Sequence, residues 1–228
     1  MAKLRLLVTN DDGWDAPGLA ALADVARRFG EVVIVAPRDP HSYAGHRVTT
    51  DRPLELRATA GGAWWLDGSP ADCVRVALRG LALDVDWVLA GINRGGNLGA
   101  DLFTSGTVAA AREAALLGKP AIAISQYVRR DLALDWSQSA ALAESAIERL
   151  VHAREPGIYF NVNLPHRADG EEVGHAECEP DNQPLDVRFA CEGAQWRYAG
   201  SYAGRPRTPG RDVDLCFGGA VTVSRLRI

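Results

Sequence analysis

Asp11 and Asp12 stand side by side in Asn10-Asp11-Asp12-Gly13, directly after the apolar run Leu4 to Thr9. Two carboxylates at one place repel each other where the dielectric is low. A bound cation relieves the repulsion, and so does a raised pKa on one acid. No further acid follows at a spacing that suits a catalytic acid–base pair. Two other loops also follow apolar runs: Arg38-Asp39-Pro40-His41-Ser42, and Gly91-Ile92-Asn93-Arg94 continuing to Asn97. The three loops together offer carboxylate, hydroxyl and amide oxygens. Those are donors for a hard divalent ion such as Mg²⁺, Mn²⁺ or Ca²⁺.

A second group lies in Leu102-Phe103-Thr104-Ser105-Gly106-Thr107, which opens an alanine-rich stretch. A Ser-Gly-Thr turn at a helix start presents free main-chain N–H groups and the positive end of the helix dipole, a place for phosphate. Ordinary capping by Ser105 or Thr104 would leave the same pattern. A cation site and an anion site at one sheet edge point to a phosphate ester bridging the two. The Gly-x-x-x-x-Gly-Lys-Ser/Thr loop is absent, as is Gly-x-Gly-x-x-Gly after the first run, which disfavours a dinucleotide oxidoreductase. Adjacent acids also differ from the Asp-x-Asp of phosphatases that pass through an aspartyl-phosphate.

The elements that must position these residues alternate in type. Leu4 to Thr9 reads as a buried strand. Leu19, Leu22, Ala23, Ala26 and Phe29 recur at helical spacing, with Pro17 suited to the first turn and Gly30 to the position past the end. Glu31 to Ala36 is a second strand, so the unit is a right-handed βαβ and the sheet is parallel. Ser69-Pro70 opens a helix to Arg79, and Asp86 to Ala90 is a strand followed by a loop from Gly91 to Gly99. Thr107 to Leu117 is a helix, Ala121 to Ser125 a strand, Ser137 to Arg154 a helix and Ile158 to Leu164 a strand. After Pro165 the alternation stops until Ala220 to Ile228, where Val221, Val223 and Leu226 are expected on one face. The expected fold is α/β, a doubly wound, mostly parallel, Rossmann-like sheet over residues 1–165. Residues 166–228 are expected to form an irregular and hairpin appendage with a closing strand, within the same structural unit. In such sheets ligands bind outside the carboxyl ends of the strands, where the three loops would meet.

The chain has 228 residues, a net charge of −4 and four cysteines, Cys73, Cys178, Cys191 and Cys216. The acidic balance argues against a broad nucleic-acid surface. The cysteines match no zinc spacing and are read as reduced thiols of a cytoplasmic protein. The apolar stretch near the amino terminus is too short for a signal-peptide core or a membrane span.

These residues carry a resemblance. LLVTNDDGWDAPGL, VVIVAPRDPHSYAG, DGSPADCVRVAL, VLAGINRGGNLG, FTSGTVAAAREAALLGKPAIAIS and FNVNLP, with a fainter AVTVSRL, are similar to segments of the SurE (survival protein E) family and occur in its order. The resemblance implies a metal-dependent phosphatase of nucleoside 5′- and 3′-monophosphates, with short polyphosphate a substrate of some members. It implies Mg²⁺ or Mn²⁺ held by Asp11, Asp12, Ser42 and Asn93, one ion per subunit. Asn97 and Ser105-Gly106-Thr107 match positions that contact phosphate, so Asp11, Asp12, Asn97 and Ser105 would carry catalysis. It implies a homodimer or homotetramer that exchanges a C-terminal segment, with no stable nucleic-acid or membrane partner.

Three features depart from the family pattern: Tyr43 where a small residue is usual, Arg94 beside the metal loop, and an ending at Ile228 where many relatives continue with a helix. Arg94 is either a phosphate contact or solvent-facing. A general base is not evident. His41 and His46 are candidates by titration range but read better as loop residues. His152, His166 and His175 are read as structural or exposed. Trp14 is read as packing rather than as a nucleobase contact. Two alternatives are a phosphatase acting mainly on polyphosphate or other small phosphoesters, and an inert nucleotide-sensing module.

Overall fold

The computed structural model describes residues 3–168, 171 and 173–228. Strand β1 (Leu4–Thr9) leads into helix α1 (Pro17–Phe29) and strand β2 (Gly30–Pro37). Two three-residue strands follow, β3 (Leu56–Ala58) and β4 (Trp64–Leu66). Helix α2 (Pro70–Arg75) continues as a π-helical turn over Val76–Gly80. Then come β5 (Trp87–Arg94), a 3₁₀ turn over Gly99–Phe103, α3 (Gly106–Leu116), β6 (Ala121–Gln126), α4 (Trp136–Leu150) and β7 (Ile158–Leu164). The last quarter holds β8 (His175–Glu177), β9 (Phe189–Glu192), β10 (Gln195–Tyr198), α5 (Asp212–Phe217) and β11 (Val221–Arg227).

Nine strands form one sheet in the order β3-β4-β2-β1-β5-β6-β7-β11-β8. β1 pairs in parallel with β2 on one side and β5 on the other. The order therefore reverses at β1, and the crevice of a doubly wound sheet opens between the carboxyl ends of β1 and β5. β11 returns antiparallel to β7, and β8 adds parallel to β11. β9 and β10 form a separate hairpin, exposed along its length.

Alternation along the strands divides the core in two. Leu6, Val8, Ile122 and Ile124 face α1 and α4, where Leu22, Ala23, Ala143 and Ile147 meet them. Leu7, Val88, Ala121 and Ala123 face α2 and α3, where Val74, Ala77, Ala110, Ala111 and Ala114 meet them. Small side chains on both sides of that second layer let α3 lie close to the sheet. Each fully buried leucine or isoleucine contributes roughly 2–3 kcal/mol by leaving water.

Ser69 caps α2 in a full capping box with Asp72: its hydroxyl accepts from the Asp72 N–H, and the Asp72 carboxylate accepts from the Ser69 N–H. Gly30 does stand just past the end of α1, as expected, its N–H donating to the Ala26 carbonyl. It starts β2 in extended backbone, and a side chain is excluded because a Cβ would lie 1.9 Å from the Leu4 carbonyl oxygen. Several expectations are corrected. β5 does not stop at Ala90 but runs on through a register shift to Arg94, so Asn93 stands on a strand. α4 ends at Leu150 rather than Arg154. Leu226 lies on the opposite face from Val221 and Val223, packing with the α2–α3 layer, as its odd spacing from Val223 requires.

Candidate active site

The turn after β1 is closed by Asn10, whose Nδ2 donates to the Gly13 carbonyl at 2.8 Å. Gly13 has φ +107°, a conformation that favours glycine. Inside this turn Asp11 is 5 % exposed. The Thr107 hydroxyl, at the start of α3, donates to Asp11 Oδ1 at 2.5 Å. Burial pushes the Asp11 carboxyl up to about 6; the bond from Thr107 opposes this, and neighbouring Asp12 adds to it. α3 reaches the acid because residue 106 is glycine: a Cβ there would lie 2.9 Å from Asp11 Cβ and 3.0 Å from its Oδ2. Asp12 is half-buried, and its Oδ2 accepts the Arg94 main-chain N–H at 3.0 Å. The acid pair therefore spans the crevice between α3 and the end of β5.

Asn93 commits its Nδ2 to the Gly95 carbonyl at 2.7 Å; its Oδ1 has no hydrogen bond among the described residues. Ser42 lies in an exposed turn tied at both ends. The His41 N–H donates to the Asp11 carbonyl at 2.7 Å, and the Gly45 N–H donates to the Thr104 carbonyl at 2.9 Å. The loop carrying Ser42 is thus bonded to the acid turn and to the lead into α3. Tyr43, beside it, is left-handed and 89 % exposed. Ser105 caps α3, its Oγ accepting from the Val108 N–H at 3.1 Å. Asn97 is buried, with Nδ2 donating to Ser125 Oγ at 2.7 Å. Its main chain is held on both sides: its N–H donates to Asn163 Oδ1, and its carbonyl accepts from Asn161 and Asn163.

Among the described residues no three of His, Cys, Asp and Glu gather as a metal cluster. The predicted ligands are of a different kind, two carboxylates supplemented by neutral serine and asparagine oxygens. Asp11, Asp12, Thr107, Gly106 and the Ser42 loop are brought together by the bonds above. The Asn97 side chain is engaged with Ser125 on β6, and that of Ser105 with the first turn of α3.

Sequence reasoning missed the support behind this site. Glu113, on α3, is 1 % exposed. It accepts from Arg75 Nε at 2.6 Å and lies 2.6 Å from His46 Nε2. Burial raises its pKa, but the bonds from His46 and Arg75 outweigh that and hold it below the usual range. Arg112 Nε donates to His46 Nδ1 at 2.9 Å, which makes Nδ1 the acceptor and assigns the ring proton to Nε2, facing Glu113. His46 therefore fastens the Ser42 loop to α3. His41 is half-buried; burial and Arg47 lower its pKa. His166 is buried, accepting from the Arg129 N–H through Nδ1 and donating to the Ala133 carbonyl through Nε2. Asn161, Asn163 and Ser125 could have been found as polar residues spaced along otherwise apolar strands, a costly placement unless each is bonded.

The family described as Survival protein SurE matches residues 6–183. The chain belongs to the SurE family. It is 35% identical over 234 residues to a 5′-nucleotidase SurE of Paramagnetospirillum magneticum, covering 99% of this chain and 90% of the relative. A protein of Nostoc sp. provisionally named as a 5′-nucleotidase is 44% identical over 227 residues, 99% of this chain and 100% of the relative. The crystal structure of the SurE protein from Aquifex aeolicus superposes with a TM-score of 0.87 at 31% identity, covering 98% of this chain and 93% of that one. The doubly wound SurE fold, with its C-terminal hairpin, is that expected from the sequence.

Proposed function

We propose that the chain is a divalent-metal-dependent phosphomonoesterase that removes phosphate from nucleoside 5′- and 3′-monophosphates. The nucleotidase names of the SurE relatives support this reading. The observation that carries it is the acid pair at the β1–β5 switch point, with buried Asp11 bonded to the start of α3. Asp11, Asp12, Ser42 and Asn93 would hold Mg²⁺ or Mn²⁺. The donor set fits such an ion: every ligand atom is oxygen, and the Asp11–Asp12 repulsion is of the kind a dication relieves. When bound, the ion supplies a Lewis acid and an acidified water.

The chain's own groups do the rest. The α3 start at Ser105-Gly106-Thr107 turns its dipole toward the phosphate oxygens, and Asn97 lines the same edge. Water attacks phosphorus, the ester P–O bond breaks, and the ribose oxygen leaves with a proton to give nucleoside and inorganic phosphate. Residues 1–165 carry this chemistry and residues 166–228 complete the same unit. The exposed β9–β10 hairpin, with Phe189, Trp196 and Tyr198, is read as the surface that joins copies into a homodimer or homotetramer. No helix among the described residues is long and apolar enough to cross a membrane. The free cysteines suit a cytoplasmic enzyme.

The test is phosphate release from a panel of nucleoside 5′- and 3′-monophosphates, tripolyphosphate and sugar phosphates. It is run with Mg²⁺ or Mn²⁺, with chelator, and on Asp12→Asn. Release that needs the ion and falls by at least about 100-fold in Asp12→Asn is expected. Ion-independent release, or unchanged turnover in the variant, overturns the reading. Preference for tripolyphosphate, or AMP binding without release, selects one of the alternatives.

A further inference from the structure

We propose that the groove on the α1–α4 side of the acid pair is the subsite for the nucleobase, seated against Trp136 and Leu134. This rests on the phosphomonoesterase reading above. The groove has a volume of about 680 Å³. It is lined by Asp12 at the acid pair, then by Asp15, Pro17 and Arg94, and by Leu134 and Trp136. That size lies within the range of small-molecule sites.

The two sides of the crevice differ in chemistry. On the α3 side stand a helix start, Thr107 and Asn97, all polar. On the α1 side a half-buried indole and a leucine supply apolar lining, and Asp15 and Arg94 line the same groove. Phosphate or polyphosphate has no apolar part to place there. A nucleotide has a flat π face at one end and charge at the other, and bases stack on aromatic side chains without regard to sequence. Arg94 is exposed. Its main chain is held by Asp12, and its guanidinium has no hydrogen bond or ion pair among the described residues. A free guanidinium lining the same groove as an indole can stack on a base or bond its edge.

The apolar lining is also built in advance. Gly18 lets α1 lie against β5, since a Cβ there would fall 2.0 Å from the Ile92 carbonyl and 2.9 Å from the Trp136 ring. The start of α4 is pinned to the end of β6 by Ser139, whose hydroxyl donates to Gln126 Oε1 at 2.8 Å. His166 clamps Arg129 and Ala133, the loop that presents Leu134. Trp14 lines a different, smaller cavity of about 170 Å³ with Leu19, Ala23 and Ile34. The aromatic residue placed for a base is Trp136.

The experiment compares AMP with ribose 5-phosphate, which keeps the ester and sugar but lacks the base. It uses wild type, Leu134→Ala, Arg94→Gln and Trp136→Phe or Trp136→Ala. Adenosine binding to each protein is measured by calorimetry with chelator present. Leu134→Ala and Arg94→Gln guard against loss of fold in the tryptophan variants. The expected result is an about tenfold fall in the AMP to ribose 5-phosphate ratio of kcat/KM, carried by KM, in Trp136→Ala. A smaller fall is expected in Leu134→Ala, with adenosine binding weakened in parallel. An unchanged ratio across the variants, or wild type that neither binds adenosine nor prefers AMP, overturns the subsite. If wild type releases no phosphate from any ester, the phosphomonoesterase reading fails, and adenosine binding alone then decides the subsite.

Discussion

Asp11 shows what it means to keep a carboxyl group buried beside another acid. Its folded pKa of about 6 stands above the ordinary 3.8. The native state therefore binds its proton more tightly than the unfolded chain. That contribution is fully present below about pH 4 and is lost as pH rises through about 6. Two units correspond to about 3 kcal/mol. In chelator, Asp11→Asn is expected to be more stable than wild type by about that amount at pH 7.5 and equal to it near pH 4, as read from urea midpoints. Equal stability at both pH values would count against a strained charge at this position. Asp11, Asp12, Ser42 and Asn93 drew notice in the sequence as polar residues in segments that follow apolar runs, and their grouping as one ligand set came from the resemblance to the family. The partners that hold them were not legible: Thr107 lies 96 residues from Asp11, and His46 lies 67 from Glu113. Only the closed fold brings such residues together.

At the scale of elements, α3 does two jobs. Its first turn meets Asp11, and its second side-chain layer holds Glu113 against Arg75 and His46. Removing Glu113 takes the buried acceptor from Arg75 and His46, whose side chains stay partly in water, so the cost is that of two charge-assisted hydrogen bonds, a few kcal/mol. Glu113→Ala is expected to destabilise the fold by about 3 kcal/mol in denaturant titration, and Glu113→Gln by less, since the amide oxygen still accepts a bond. The alanine variant should also need more divalent ion for half-maximal activity, because the Ser42 loop loses its tie to α3. Strands β1 and β7 have the boundaries read from sequence, since each is an apolar run closed by turn residues or proline. β3, β4 and β8 have three residues each, too short for a period to register. α5, six residues long amid glycine and proline, gave no helical repeat either.

Across the whole molecule, the last quarter of the chain reaches back to the loop that bears Asn97. The Tyr202 hydroxyl lies 3.0 Å from the Gly96 carbonyl. Arg205, half-buried, donates to Asp101 at 2.5 Å and to the Leu98 carbonyl at 3.3 Å. Asp212 accepts the Gly99 N–H at 2.8 Å. Arg205→Ala strips half-buried Asp101 of its cation and is expected to cost about 1–2 kcal/mol and to lower kcat/KM with the acid pair intact. Unaltered kcat/KM in a folded variant would show that the grip is not needed for catalysis. The sequence marked residues after Pro165 as irregular but could not show which part returns to the site. This grip also sets an order of events during synthesis on the ribosome. The acid pair and α3 are complete in the chain by residue 116, but the Asn97 loop waits for Asp212, and β7 for its partner β11. A nascent or truncated chain lacking those final residues would hold the acid pair with the Asn97 loop untethered, so the proposed hydrolysis should switch on only as the polypeptide nears completion.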